Sequence, residues 1–313
     1  NKNVETIVFL CQMYKDTIDI NYETLIGYTP LSCAAQKTNI EIIQFVYDTF
    51  KDKINMSKQN IKGNSMFMFA VQNSNLKVVD FVYQKFKETI NINQQNDDGN
   101  TALMLAVQNN ENVEVLQYLY NTFKDTIDIY KQNNDGNTAF MLAAQNTNVE
   151  IITFLYQTYK DVIDIKEQNY CGNDGLMLAI QKSNIKVIKF LYDMFKDTFN
   201  INAQNYNDDT LFMLATQNTD IAVIKYVYDI FKDKIDINKK NNDGDTAFIL
   251  AAQNTNINVV QFLCNTFKDK IDINTKTNNC HTAFSYAAEN TNVKVIQFLY
   301  DTFKDKISDF FAK

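Results

Sequence analysis

Residues 134–165 read Asn134-Asp135-Gly136-Asn137-Thr138-Ala139-Phe140-Met141-Leu142-Ala143-Ala144-Gln145-Asn146-Thr147-Asn148-Val149-Glu150-Ile151-Ile152-Thr153-Phe154-Leu155-Tyr156-Gln157-Thr158-Tyr159-Lys160-Asp161-Val162-Ile163-Asp164-Ile165. Asn134 to Asn137 is a turn signal, with Gly136 able to adopt a positive φ at no steric cost. Thr138 is a good N-cap for the short apolar run Ala139–Ala144, whose two alanines allow another helix to approach closely. Gln145-Asn146-Thr147-Asn148 interrupts the run, and asparagine, the non-glycine residue most tolerant of the left-handed region, is expected to use it there. Apolar residues 151, 152, 155, 159 and 163 then fall at the i, i+4 and i+3 spacings of an amphipathic helix. Ile163-Asp164-Ile165 leads into the next polar turn. The stretch therefore predicts a turn or short hairpin followed by two antiparallel helices.

The same stretch recurs along the chain. An aromatic followed by Lys and then Asp or Glu occurs at Tyr14, Phe50, Phe86, Phe123, Tyr159, Phe195, Phe231, Phe267 and Phe303. The gaps are 36 residues except one of 37, where an extra residue enters near Asn110-Glu111. A fixed period in this range signals a stacked-repeat architecture. By length alone, 313 residues would suggest two domains. The periodicity predicts instead one continuous array: a partial repeat at 1–19 (second helix only), then repeats at 20–55, 56–91, 92–128, 129–164, 165–200, 201–236, 237–272 and 273–313.

Gly27-Tyr28-Thr29-Pro30-Leu31-Ser32-Cys33-Ala34-Ala35 and Asp243-Gly244-Asp245-Thr246-Ala247-Phe248-Ile249-Leu250-Ala251-Ala252 carry a resemblance to the ankyrin repeat, whose pattern opens D-G-x-T-P-L-H-x-A-A. Pro30, the chain's one proline, stands where that family places one and suits a first helical turn. The resemblance implies a mostly all-α fold, an ankyrin-type α-solenoid of helix-turn-helix repeats joined by turns or short β-hairpins. There are departures. The family histidine is replaced by Met68, Met104, Met141, Met177, Met213 or Ile249, which predicts apolar packing in place of polar links. Three extra residues, as in Tyr300-Asp301-Thr302-Phe303, predict an outer helix extended by nearly one turn. The aromatics they add are expected to pack on one another in a continuous row.

Composition narrows the function. Hydrophobic residues make up 45%, enough for a sizeable core, yet there is one His, and all 30 basic residues are Lys. A single imidazole removes most plans that need a base plus a second histidine. The absence of Arg removes bidentate phosphate and guanine recognition, and a net charge of −7 leaves no basic footprint for nucleic acid or an anionic membrane. No stretch has the ~20 apolar residues of a membrane span. Asn1-Lys2-Asn3-Val4-Glu5 lacks the layout of a secretory signal, and without an initial Met the chain is expected to be a processed or excised piece. Five cysteines with no CxxC spacing fit a reducing, cytoplasmic setting. Cys11 and Cys264 occupy a slot held by Tyr in most other repeats, so both are expected in the core.

Neither Asp97-Asp98-Gly99-Asn100 nor Asn207-Asp208-Asp209 has calcium-loop spacing, and Cys280-His281 lacks the further ligands of a metal site. The Lys-Asp/Glu pairs, as at Lys124-Asp125, are expected at helix C-termini, where a cation complements the dipole. No phosphate loop, nucleophile elbow or zinc-protease motif occurs. The expectation is a protein with no catalytic residues, no cofactor and no metal.

Specificity in a repeat array resides in positions that break the repetition. The two residues before each turn glycine, where ankyrin-like proteins present finger tips, are Leu25-Ile26, Ile61-Lys62, Asp97-Asp98, Asn134-Asp135, Tyr170-Cys171, Tyr206-Asn207, Asn242-Asp243 and Asn278-Asn279. Tyr170, Cys171, Tyr206, Asn207, Ile61, Asp98, Asp135 and Asp243 are the candidate partner-binding residues. Tyr170 and Tyr206 stand in adjacent repeats, and tyrosine offers large contact area with few rotatable bonds. Acidic tips at Asp97, Asp98, Asp135, Asp243 and Asp245 favour a partner with a basic surface. The expected function is a non-catalytic scaffold gripping another protein on its concave face and finger tips. The alternative is a targeting or regulatory arm of a larger, enzymatic or effector, protein; a third reading is a passive spacer.

Overall fold

Every short apolar run of the repeat is helical because a side chain caps it and its neighbours bury it. In a computed structural model of the chain, residues 2–36, 39–109, 113–196, 198–218, 220–254, 256–289 and 293–306 are described, with side chains from Glu5 onward. The extra residue near Asn110-Glu111 and the last stretch from Ile307 lie outside them. The helices fall into two units, Asn1–Asp164 and Ile165–Lys313. The first unit holds α1 (Lys2–Met13), α2 (Pro30–Gln36), α3 (Ile40–Phe50), α4 (Met66–Val71), α5 (Leu76–Phe86), α6 (Ala102–Asn109), α7 (Glu114–Phe123), α8 (Ala139–Gln145) and α9 (Val149–Tyr159). The second holds α10 (Gly175–Gln181), α11 (Ile185–Phe195), α12 (Leu211–Gln217), α13 (Ile221–Phe231), α14 (Ala247–Gln253), α15 (Ile257–Phe267), α16 (Ala283–Glu289) and α17 (Val293–Phe303).

Within each unit the first helix of a repeat packs on its own second helix and on the first helix of the next repeat. Thus α4 touches α2, α5 and α6, and α14 touches α12, α15 and α16. Second helices line up in their own layer, α3 with α5 and α13 with α15. Close approach in the inner layer depends on small residues: Ala70, Ala106 and Ala143 in the first unit, and Ala179, Ala215 and Ala251 in the second, have no exposed surface. The slots of the family histidine are apolar and buried, at Met68, Met104, Met141, Met177, Met213 and Ile249.

Caps set both ends of the helix pair. Ser65, Thr138, Thr210 and Thr246 accept the N–H of the third residue of α4, α8, α12 and α14, and Asp174 does the same for α10. In the first and last full repeats a serine closes the cap from the other side, as Thr29 N–H donates to Ser32 Oγ at 2.9 Å and Thr282 N–H to Ser285 Oγ at 2.8 Å. The second helices are capped by Asn39, Asn75, Asn148, Asn184, Asp220 and Asn256. They run to the repeat aromatic, so the three added residues are helical, and Lys51, Lys87, Lys124, Lys160, Lys196, Lys232 and Lys268 stand at their C-caps.

Two expectations are corrected. Asn146 is extended, with φ −77° and ψ 141°, rather than left-handed. Its Oδ1 accepts the N–H of Asn148 at 2.8 Å and its amide donates to the Val107 carbonyl at 2.6 Å, so hydrogen bonding, not left-handed tolerance, ends the helix. Among the ring contacts of the described residues, the repeat aromatics do not form a row of like on like. Four of them are met edge-on by the tyrosine of the preceding repeat: Tyr47 on Phe86, Tyr83 on Phe123, Tyr192 on Phe231 and Tyr228 on Phe267, with ring centres 5.4–5.9 Å apart. Phe123 and Phe267 gain a second ring from the preceding first helix, Phe67 and Phe212 respectively. The tyrosine one turn earlier on the preceding repeat supplies the ring contact instead. Cys264 is buried as expected, and burial pushes its thiol up to about 12, whereas Cys11 is only half-buried.

Ala106 has no exposed surface on α6, between α4 and α8. Ala106→Leu is expected to lower stability by about 3 kcal/mol, read from the shift of the urea unfolding midpoint.

Candidate functional site

The hairpins at 60–64, 96–100, 133–137, 169–173, 205–209 and 241–245 are each built around one asparagine, buried in all but the last, where Asn241 is half-buried. Asn133 Oδ1 accepts the N–H of Asp135 at 3.1 Å and of Asn137 at 2.9 Å, while its own N–H donates to the Asn137 carbonyl. Asn205 does the same with Asn207 and Asp209 at 3.0 and 2.9 Å, and Asn60 and Asn241 repeat the pattern. A carboxylate could accept these N–H groups but could not donate onward. The asparagine amide does donate, to the previous hairpin: Asn96 to Asn64 at 2.9 Å, Asn133 to Asn100 at 3.1 Å, Asn205 to Asn173 at 3.0 Å and Asn241 to Asp209 at 2.9 Å.

The turn is tightened by a left-handed residue. Gly172 has φ +76°, and a Cβ there would lie 2.5 Å from the Tyr206 nitrogen and 2.6 Å from its Cδ1. Asp208 occupies the same turn position with φ +60°. Gln204 steadies that loop by donating to the Asp208 carbonyl at 2.6 Å.

What the turn projects is the pair of tip residues. Their backbones are tied to one another across repeats: Asp97 N–H to the Lys62 carbonyl, Asn134 to Asp98, Tyr206 to Cys171, Asn242 to Asn207 and Asn278 to Asp243, at 2.8–3.1 Å. Asn134, Asn242 and Asn278 add their side-chain amides to the carbonyls of Asp97, Tyr206 and Asn242. With main chain and asparagines engaged inward, the remaining tip side chains face outward.

All eight candidate residues are exposed, Tyr170 at 63%, Tyr206 at 66% and Ile61 at 61% among them. Tyr170, Cys171, Tyr206 and Asn207 are brought together on two bonded hairpins of the second unit, with the Tyr206 ring over Gly172 and Asp243 on the next hairpin. Ile61, Asp98 and Asp135 stand on successive hairpins of the first unit, Ile61 on the hairpin next to exposed Leu25 and Ile26. Asp245 does not belong with the acidic tips: it is buried at the position after the turn glycine. The amide ladder was not read from the sequence; its signal is the pair Asn-x-x-x-Asn/Asp that frames the six tips from Ile61-Lys62 to Asn242-Asp243.

The electrostatics of the hairpins are acidic. Burial raises the Asp209 carboxyl, with Asp243 and Asp208 adding to the rise, while the Asn241 and Asn205 amides oppose it. Burial likewise raises Asp174, against the N–H groups of Met177 and Leu176. Among the described residues no three His, Cys, Asp or Glu side chains are placed to hold a metal ion, and no helix is long and apolar enough to cross a membrane.

The profile of ankyrin repeats (three copies) matches residues 67–169 and 212–309, about two thirds of the chain. Comparison with curated proteins finds no match. Helix pairs stacked in two layers, hairpins bonded tip to tip and this profile match together place the chain in the ankyrin repeat family. Ankyrin repeats are generally protein–protein interaction modules and typically non-catalytic.

Two substitutions test the hairpin. Asn133→Ala strands two N–H groups and one acceptor and is expected to cost about 2–3 kcal/mol in urea unfolding. Asp208→Gly relieves the positive φ and removes a charge beside Asp209, and is expected to raise stability by about 0.5–1 kcal/mol in the same measurement.

Proposed function

We propose that this chain is a non-catalytic scaffold that binds another protein through its hairpin tips and the first helices beside them. The observation that carries the proposal is the pair Tyr170 and Tyr206, two large exposed rings on adjacent hairpins whose backbones are already hydrogen-bonded. An exposed aromatic on a preorganised frame loses little conformational freedom on binding, which favours it as an anchor. Cys171 and Asn207 adjoin the rings, and Asp243 lies on the next hairpin. In the first unit the tips change from apolar at Leu25, Ile26 and Ile61 to acidic at Asp97, Asp98 and Asp135.

Exposed carboxylates at Asp98, Asp135 and Asp243 and a net charge of −7 favour a partner with a basic surface. The same charge, with no arginine in the chain, disfavours nucleic acid and anionic lipid. A reducing, cytoplasmic setting suits the exposed thiols of Cys171 and Cys280.

A photo-crosslinking residue placed at Tyr206, and in a second sample at exposed Asp229 on the outer helix, distinguishes the tips from the back of the repeats. The tip position is expected to capture a protein that Asp229 does not. With that protein purified, the Tyr170→Ala/Tyr206→Ala double variant is expected to bind at least about tenfold more weakly, at unchanged thermal stability, with affinity falling as salt rises. Equal capture from both positions, or unchanged affinity of the double variant, rejects the tip surface.

A further inference from the structure

The ladder of buried amides has a missing rung. Asn96, Asn205 and Asn241 each donate to a side-chain oxygen 32 residues earlier, and Asn133, across the extra residue, to one 33 earlier. The next rung of the second unit runs from residue 277 to Asp245, and residue 277 is a threonine. Thr277 Oγ1 accepts the N–H of His281 at 3.2 Å, as the asparagine does for its own turn, but it has no amide to send back. Asp245 is 6% exposed, and its Oδ1 is buried with no hydrogen-bond partner. Asp209, equally buried one repeat earlier, differs in receiving the Asn241 amide at 2.9 Å.

A carboxylate with one oxygen buried away from any donor is costly when ionised, and the neutral acid avoids that cost. The ionisable groups facing Asp245 are Asp243 on its own turn, Asp209 on the preceding hairpin and His281 on the following one. Burial raises the Asp245 carboxyl most, Asp243 and Asp209 raise it further, and His281 opposes them. His281 is itself engaged, with Nδ1 3.1 Å from Glu289 Oε1 and its ring stacked on Tyr286 at 4.8 Å.

We propose that Asp245 is a protonatable joint between the repeat at 237–272 and the repeat that follows, closed when the carboxyl is neutral and loosened when it ionises. The stability it contributes is complete below the ordinary aspartate value of about 3.9 and is lost as pH rises through its higher value in the folded chain. The second-unit hairpins around Asp245 therefore loosen as pH rises through that higher value.

The test is an NMR titration of the Asp245 side-chain carboxyl in the whole chain, alongside thermal unfolding at pH 7.5 and pH 5. In the wild type the carboxyl is expected to titrate above the ordinary aspartate value of about 3.9. Thr277→Asn supplies the missing amide and is expected to shift that titration down and to raise Tm at pH 7.5 by a few degrees. Asp245→Asn is expected to raise Tm at pH 7.5 and to shrink the gain between pH 7.5 and pH 5. An ordinary titration in the wild type, or one that Thr277→Asn leaves in place, overturns the proposal even if Asp245→Asn fails to fold.

Discussion

A hairpin pressed between two others must satisfy its backbone N–H and C=O groups without water, and here one asparagine side chain in each of the central hairpins does most of that work. Its carbonyl oxygen accepts two N–H groups of its own turn and its amide reaches the neighbouring hairpin, so the turn's shape and the contact between repeats depend on the same residue. The rest follows from that anchoring. The turn must double back within four residues, which demands a left-handed residue at its apex, and the two residues before that apex point away from the packed layer.

Helix packing works to the same pitch. The inner layer is set by alanines that let short helices lie side by side, and the outer layer by longer helices ending in an aromatic. Tyrosine on the preceding repeat meets that aromatic at its edge, a geometry that suits the ring quadrupole and fills the wider spacing of the outer helices. Polar and aromatic contacts thus divide the interface between neighbouring repeats: asparagine amides at the hairpins and rings at the far ends of the outer helices. The tip side chains are what neither system uses, and the proposed partner surface is built from them.

Much of this was legible in residues 134–165 alone. Thr138 and Asn148 reported two helix starts, the alanines reported an inner layer, and the period reported stacking. Misreadings arose where a residue has two ways to satisfy its local role. Asn146 can end a helix by going left-handed or by bonding its neighbours, and only the proximity of the Val107 carbonyl selects the second. Asp245 reads as one more acidic tip beside Asp243, yet the two residues lie on opposite sides of the Gly244 reversal, one exposed and one buried. The tip positions themselves were legible because the turn glycine marks them.

Sequence by itself determined the repeat, its two helices, the caps and the family, because these depend on contacts within about four residues and on a period that survives substitution. The tertiary structure alone decided which amide donates to which hairpin, which ring meets which, and that Asp245 Oδ1 is left without a donor. Those pairings join residues 32 or more apart in sequence, and whether a donor finds its acceptor depends on the angle and distance at which one repeat settles on the last.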